Sequence, residues 1–250
     1  MTRALQVGAL ALAVAVLVAG AALVGASRGE REARAVQLLT RLYAAGPAAV
    51  AGRLVPGSVP DDQRPALQRV LRQVVQPPFE ATASDRATVR GVTLVHVRTD
   101  RIDWCVTPDD ALVVDCRVGN AELDGAVRGA PVDVAFAALD VYPRKVDVAV
   151  VLRTPADRPV RLGGDPQLTT EVADYRLVEA GYLTRGRRIA ADRNALRVQP
   201  GAGLLLVFTA DGLGDVQAAT SGPFTLRWDG ATARLQVTGR TWLVGEGSRG

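Results

Sequence analysis

The 250-residue chain has one histidine, one methionine, two cysteines and 4% aromatic residues, and its 30 cations include a single lysine, Lys145. With one imidazole, a Ser-His-Asp relay has only His96 to use. Neither Ser84 nor Ser221 has the S-x-x-K neighbour that would mark it as a nucleophile. The two cysteines lack C-x-x-C spacing, and His96 alone cannot complete four ligands for zinc. No nucleophile elbow, P-loop, dinucleotide fingerprint or metalloprotease helix occurs. The glycine pairs Gly201/Gly203 and Gly212/Gly214 sit in turns, with no helix to offer its N-terminus to phosphate. The adjacent carboxylates Asp61-Asp62 and Asp109-Asp110 read as local acceptors in caps and turns. These absences lead us to expect no catalytic residue, cofactor or metal site. The net charge of +4 is scattered, which argues against a nucleic-acid partner.

What is present begins with an apolar run, Val7 to Ala26, with Arg3 before it, Arg28 after it and no charge inside. About 20 such residues suffice for a helix to cross a bilayer. A cleaved signal peptide is the competing reading, with Val24-Gly25-Ala26 as the cleavage site, but the run exceeds a usual signal core. Residues 1–27 are therefore expected to anchor the chain in a cell membrane. Arg28, Arg31 and Arg34 would favour the reverse orientation by the positive-inside rule. The cysteine pair and the β-rich remainder nevertheless suggest a single pass with the C-terminal part extracytoplasmic. The arginine-for-lysine bias and abundant Ala, Gly and Val fit a GC-rich bacterial genome.

Residues 28–120 are expected to form a small α+β domain. From Glu30 to Ala45, the apolar residues Ala35, Leu38, Leu39, Leu42 and Tyr43 share one helical face. Gly46-Pro47 breaks that helix, and a short one follows from Pro47 to about Leu54. A third, from about Asp61 to Val75 with Ser58 as N-cap, carries the stripe Leu67, Val70, Leu71, Val74 and Val75. From Ala87 the period becomes that of a strand, followed by Arg101–Thr107 and Leu112–Val118. A turn centred on Asp110 and Ala111 would set Cys105 opposite Cys116 and let them form a disulfide, worth roughly 3 kcal/mol. Trp104 is expected to be core cover for the hairpin rather than a stacking platform.

Gly119 to Pro131, with three glycines, reads as a linker before a second domain at residues 130–245. There Val146, Val148, Val150 and Leu152 alternate with Asp147, Ala149, Val151 and Arg153, giving one buried and one mostly solvated face. The turn Tyr142–Lys145 would pair Val141 with Val146 and Leu139 with Val148. Asp229-Gly230 signals a type I′ hairpin pairing Trp228 with Ala231, Leu226 with Ala233 and Phe224 with Leu235. Weaker strands lie near Glu171–Val178, Arg187–Ala191, Ala195–Val198 and Leu204–Thr209.

The strand Val146–Thr154, the central Asp174-Tyr175, Leu196-Arg-Val-Gln-Pro200-Gly201 and Leu204–Phe208 resemble the immunoglobulin-like domain of Gram-positive envelope lipoproteins. The resemblance covers less than half the chain, and no lipobox cysteine is present. It implies a β-sandwich after the α+β domain. The helix-plus-strand first half loosely resembles membrane-tethered accessory proteins of actinobacterial envelope transport systems.

One charge cluster stands out, Arg185, Arg187 and Arg188, whose guanidinium groups could grip an anionic lipid or wall polymer. Taken together, the sequence points to a non-enzymatic, membrane-anchored envelope scaffold that offers loops or an edge strand to a protein partner. The alternatives are a lipid or wall-polymer binder, and an envelope hydrolase with carboxylates drawn from distant strands.

Overall fold

In a computed structural model, the residues described are 29–56, 59, 64–76, 80–184 and 187–245. They divide into two compact units. The first holds residues 29–54, 59–86 and 94–115, and the second 55–56, 87–93 and 116–245, among the described residues.

In the first unit, α1 covers residues 29–45, α2 Pro47–Ala51 and α3 Arg64–Val74. Gly46, at φ 98°, holds a left-handed conformation between α1 and α2 that a Cβ would strain. A four-stranded antiparallel sheet follows, in the order β1 (Ala81–Val89), β2 (Val92–Thr99), β3 (Asp103–Val106) and β4 (Leu112–Val114). The α1 stripe Ala35, Leu38, Leu39 and Tyr43 is buried with Leu71, Val75, Val95, Val97, Trp104, Val106 and Leu112 in one core. Trp104 lies in this core, as expected, fully buried and donating its indole N–H to the Tyr43 hydroxyl at 3.0 Å. β1 escapes a periodicity reading because its Ala-Thr-Ala-Ser-Asp-Arg start is polar and partly exposed, and Arg90-Gly91 turns the chain.

The second unit overturns the immunoglobulin-like sandwich. Eight antiparallel strands close on themselves in the order β5 (Gly119–Arg128), β6 (Asp133–Tyr142), β7 (Lys145–Arg153), β13 (Gly203–Ala210), β10 (Asp174–Thr184), β9 (Gln167–Thr169), β14 (Phe224–Trp228) and β15 (Ala231–Trp242), which returns to β5. β11 (Arg187–Ala190) pairs with β10 outside the ring, and β8 (Val160–Arg161) with β12 (Arg197–Val198) makes a separate ribbon. A short helix, α4, spans Val216–Ala219 and is capped by the Asp215 carboxylate. A sandwich and a barrel share the same inward and outward alternation, so pattern alone does not separate them. The closing strand β9 decides it, since Leu168 pairs with Leu226 on one side and Tyr175 on the other.

Both expected hairpin registers occur, Val141 with Val146 and Trp228 with Ala231. The expected linker is instead β5. Gly125 is a close-approach residue there, because a Cβ would lie 2.2 Å from the Arg234 carbonyl oxygen of β15. Val146, Val148, Val150, Leu152, Leu204, Leu206, Phe208, Phe224, Leu226 and Leu235 are fully buried and fill the interior, as expected for eight strands.

The single-pass membrane expectation is also corrected. Among the described residues no helix is long and apolar enough to cross a membrane. The run Val7 to Ala26 itself lies outside the described residues, as do Ser58 and Asp61-Asp62.

Candidate functional site

Cys105 and Cys116 are disulfide-bonded, but not as directly opposed strand residues. The β3–β4 register sets Cys105 against Val113, three positions from the expected pairing, because the turn is closed by Thr107 and Ala111. Cys116 lies beyond β4 at φ 56°, next to Asp115 at φ 50°. In that turn Asp109 accepts from the Thr107 hydroxyl at 2.6 Å and Asp110 meets Arg34 at 2.7 Å. Asp110 raises the Arg34 pKa by hydrogen bond and charge. Asp109 is thus engaged within its own turn and Asp110 by Arg34 of α1.

Arg187 and Arg188 open β11 and are exposed, whereas Arg185 lies outside the described residues. Arg188 is ion-paired with Glu179 of β10, so the cluster presents less positive charge than its sequence suggests. Among the described residues no group of three or more His, Cys, Asp or Glu is placed to hold a metal ion.

Two hairpins assemble a trio that linear spacing hides. Ser84 Oγ on β1 is 3.0 Å from His96 Nδ1 on β2, and His96 Nε2 is 3.3 Å from Asp103 Oδ2 on β3. The composition is that of a nucleophilic relay. The setting is not, because Ser84 is exposed in mid-strand, without the strained turn and helix N-terminus that present a hydroxyl and an oxyanion hole. Nε2 is buried at ion-pair distance from Asp103 but without hydrogen-bond alignment. The trio is a cross-strand polar ladder.

A cavity of about 400 Å³ opens beside α2 and α3, lined by Pro47, Ala48, Ala51, Gln68, Leu71 and Arg72. Its lining is mostly apolar, and only Gln68 and Arg72 could orient a ligand.

The feature that departs furthest from expectation is the outer wall of the barrel across β6, β7, β13 and β10. Paired residues share a face, so Phe136, Val151, Leu205 and Gly181 form one outward row. Ala138, Ala149, Val207 and Glu179 form the next, and Gly203 with Leu183 a third. A sheet face turned to water ordinarily carries polar residues. Here Phe136 is 52% exposed and Leu183 37%. Val151 points outward yet is buried, its Cγ1 lying 2.8 Å from where a Cβ on Gly203 would stand. Leu183 Cβ is 3.8 Å and Arg153 Nε 3.9 Å from that point, so the apolar patch is bordered here by a guanidinium group. Further down the wall the pattern turns polar, where Asp147 receives Lys145 and Thr209, each at 2.7 Å.

The sequence does carry a signal for this wall. Val148–Leu152 and Leu204–Phe208 are apolar on successive residues, hence on both faces of their strands. Comparison of the chain with protein-family models, with curated proteins and with solved structures found no match.

Proposed function

We propose that the protein is a non-enzymatic interaction protein that presents the outer wall of its barrel to a protein partner. The observation that carries this reading is the apolar surface of Phe136, Val151, Leu183, Leu205 and Val207 on a face that solvent would otherwise cover. Apolar residues left exposed on a sheet face, here Phe136 and Leu183 with half-buried Leu205 and Val207 between them, are the kind of surface that marks interaction sites, and an exposed aromatic is the usual anchor of such a contact. The barrel interior is filled by its own side chains, so the wall is where this unit has contacts to offer. The disulfide between Cys105 and Cys116 holds its loop in a fixed form.

Photo-crosslinking from position 136 tests the reading, with position 234 on the exposed part of β15 as the control. Discrete protein adducts from position 136, lost when Leu183→Asp is added, are expected. A hot-spot loss of about 2 kcal/mol, near 30-fold in affinity, is the expected size. Adducts equal from both positions, or none from position 136, would overturn it.

A further inference from the structure

The segment that joins β4 to β5 holds two successive left-handed residues, Asp115 at φ 50° and Cys116 at φ 56°, neither of them glycine. A Cβ makes that conformation costly, and turns that need it twice in a row ordinarily take Asn-Gly or Asp-Gly. The disulfide accounts for the cysteine. Trp104 faces Val114 in the β3–β4 register, so a strand continued straight would set Cys116 opposite Ile102. That is three positions, about 10 Å, from Cys105, and a disulfide spans Cα atoms no more than about 7 Å apart. Cys116 reaches Cys105 because the chain turns back at Asp115-Cys116.

The turn is held by the disulfide and by the Asp115 N–H, which donates to the Asp103 carbonyl at 2.8 Å. Just beyond it, Val118 donates to the Val141 carbonyl at 2.7 Å and accepts from the Leu243 N–H at 2.9 Å, where the chain enters β5. Backbone in a sparsely populated conformation persists only where its surroundings impose it. We propose that the Cys105–Cys116 disulfide is a redox-sensitive clasp, whose reduction lets the Asp115-Cys116 turn relax and loosens the start of β5. The inference goes beyond the partner-binding reading and does not depend on it.

The reductant is a dithiol. Cys116 is 7% exposed and lies beside exposed Asp115, whereas Cys105 is 1% exposed, so the reagent's thiolate attacks the Cys116 sulfur. The S–S bond breaks, and Cys105 leaves as a thiolate that takes a proton from water. The reagent's second thiolate then attacks the mixed disulfide, which releases Cys116, protonated in turn, and closes the reagent's own disulfide. Two electrons pass from the dithiol to the protein. Strain relieved on reduction favours the reduced form, the property that separates labile disulfides from inert ones. Without the bond, Asp115 and Cys116 are free to return to negative φ. Arg117, paired with Asp140 at 3.3 Å, is all that separates them from Val118.

The test equilibrates the purified full chain with reduced and oxidised dithiothreitol and reads the thiol fraction by alkylation and mass spectrometry. Asp115→Gly removes the cost of the left-handed turn and is expected to make the disulfide about threefold harder to reduce. Asp115→Val raises that cost and is expected to make it about tenfold easier to reduce. Asp110→Gly, left-handed at φ 63° in the hairpin turn, is the control and should leave the equilibrium unchanged. On reduction of the wild-type chain, hydrogen exchange should rise over residues 115–120 and not over Val146–Arg153. Equal equilibria for the Asp115 variants and the control, or exchange unchanged on reduction, would overturn the inference. So would exchange that rises equally everywhere, which would make the disulfide a staple of the whole fold rather than a clasp on one turn.

Discussion

Leu168 on β9 lies opposite Tyr175 on β10, and that pair turns an open sheet into a barrel. Leu168 is fully buried and also opposes Leu226, so one side chain serves both seams of the closing strand. Leu168→Ala should cost about 2–5 kcal/mol, the range for a buried leucine that leaves a void. Chemical denaturation followed by tryptophan fluorescence measures it. A loss under about 1 kcal/mol would mean that the seam carries little of the stability.

Tyr175 predicts an alkaline limit. Its hydroxyl donates to the Ala219 carbonyl at 3.0 Å, its ring meets Phe224 at 5.6 Å, and burial raises its pKa. The native state therefore keeps a proton that the unfolded chain gives up above about pH 10. Stability from this group is complete below that value and is lost as pH rises through the folded-state pKa. Tyr175→Phe should cost about 1 kcal/mol at neutral pH and flatten the fall of Tm above pH ~10. An unchanged alkaline slope in the variant would refute the assignment.

In the first unit, the bond from Trp104 to Tyr43 joins β3 to α1 inside the core. Tyr43→Phe leaves the indole N–H buried without an acceptor and should cost about 1–3 kcal/mol. A double-mutant cycle with Trp104→Phe should return a coupling of about 1 kcal/mol. Additive single effects would show that the two side chains only fill space.

The Ser84, His96 and Asp103 ladder should be chemically silent. A fluorophosphonate probe is expected to leave Ser84 unlabelled, and Ser84→Ala should change neither labelling nor Tm by a measurable amount. Stoichiometric labelling abolished by Ser84→Ala would reopen the hydrolase reading.

How much of this was legible in the sequence depends on the distance over which each feature is decided. Asp229-Gly230 is local, with φ of 25° and 77°, and its register could be read from the turn. Closure is not local, because β9 is three residues long and its seams lie with strands further along the chain. Gly125 misled for a related reason. It is glycine to admit the β15 backbone, a contact with residue 234 that no nearby neighbour announces. The relay-like trio was equally hidden, since a polar β1 and two hairpins bring positions 84, 96 and 103 together. The wall was half visible, because apolar runs mark strands that are apolar on both faces but not what the outer face is for.

Hydroxyl-radical footprinting of the native complex against the purified monomer tests the central claim most directly. Phe136 and Leu183 should be protected in the complex, while Val172, 61% exposed in the loop between β9 and β10, should react equally in both. Equal reactivity of Phe136 in the two samples would contradict the account.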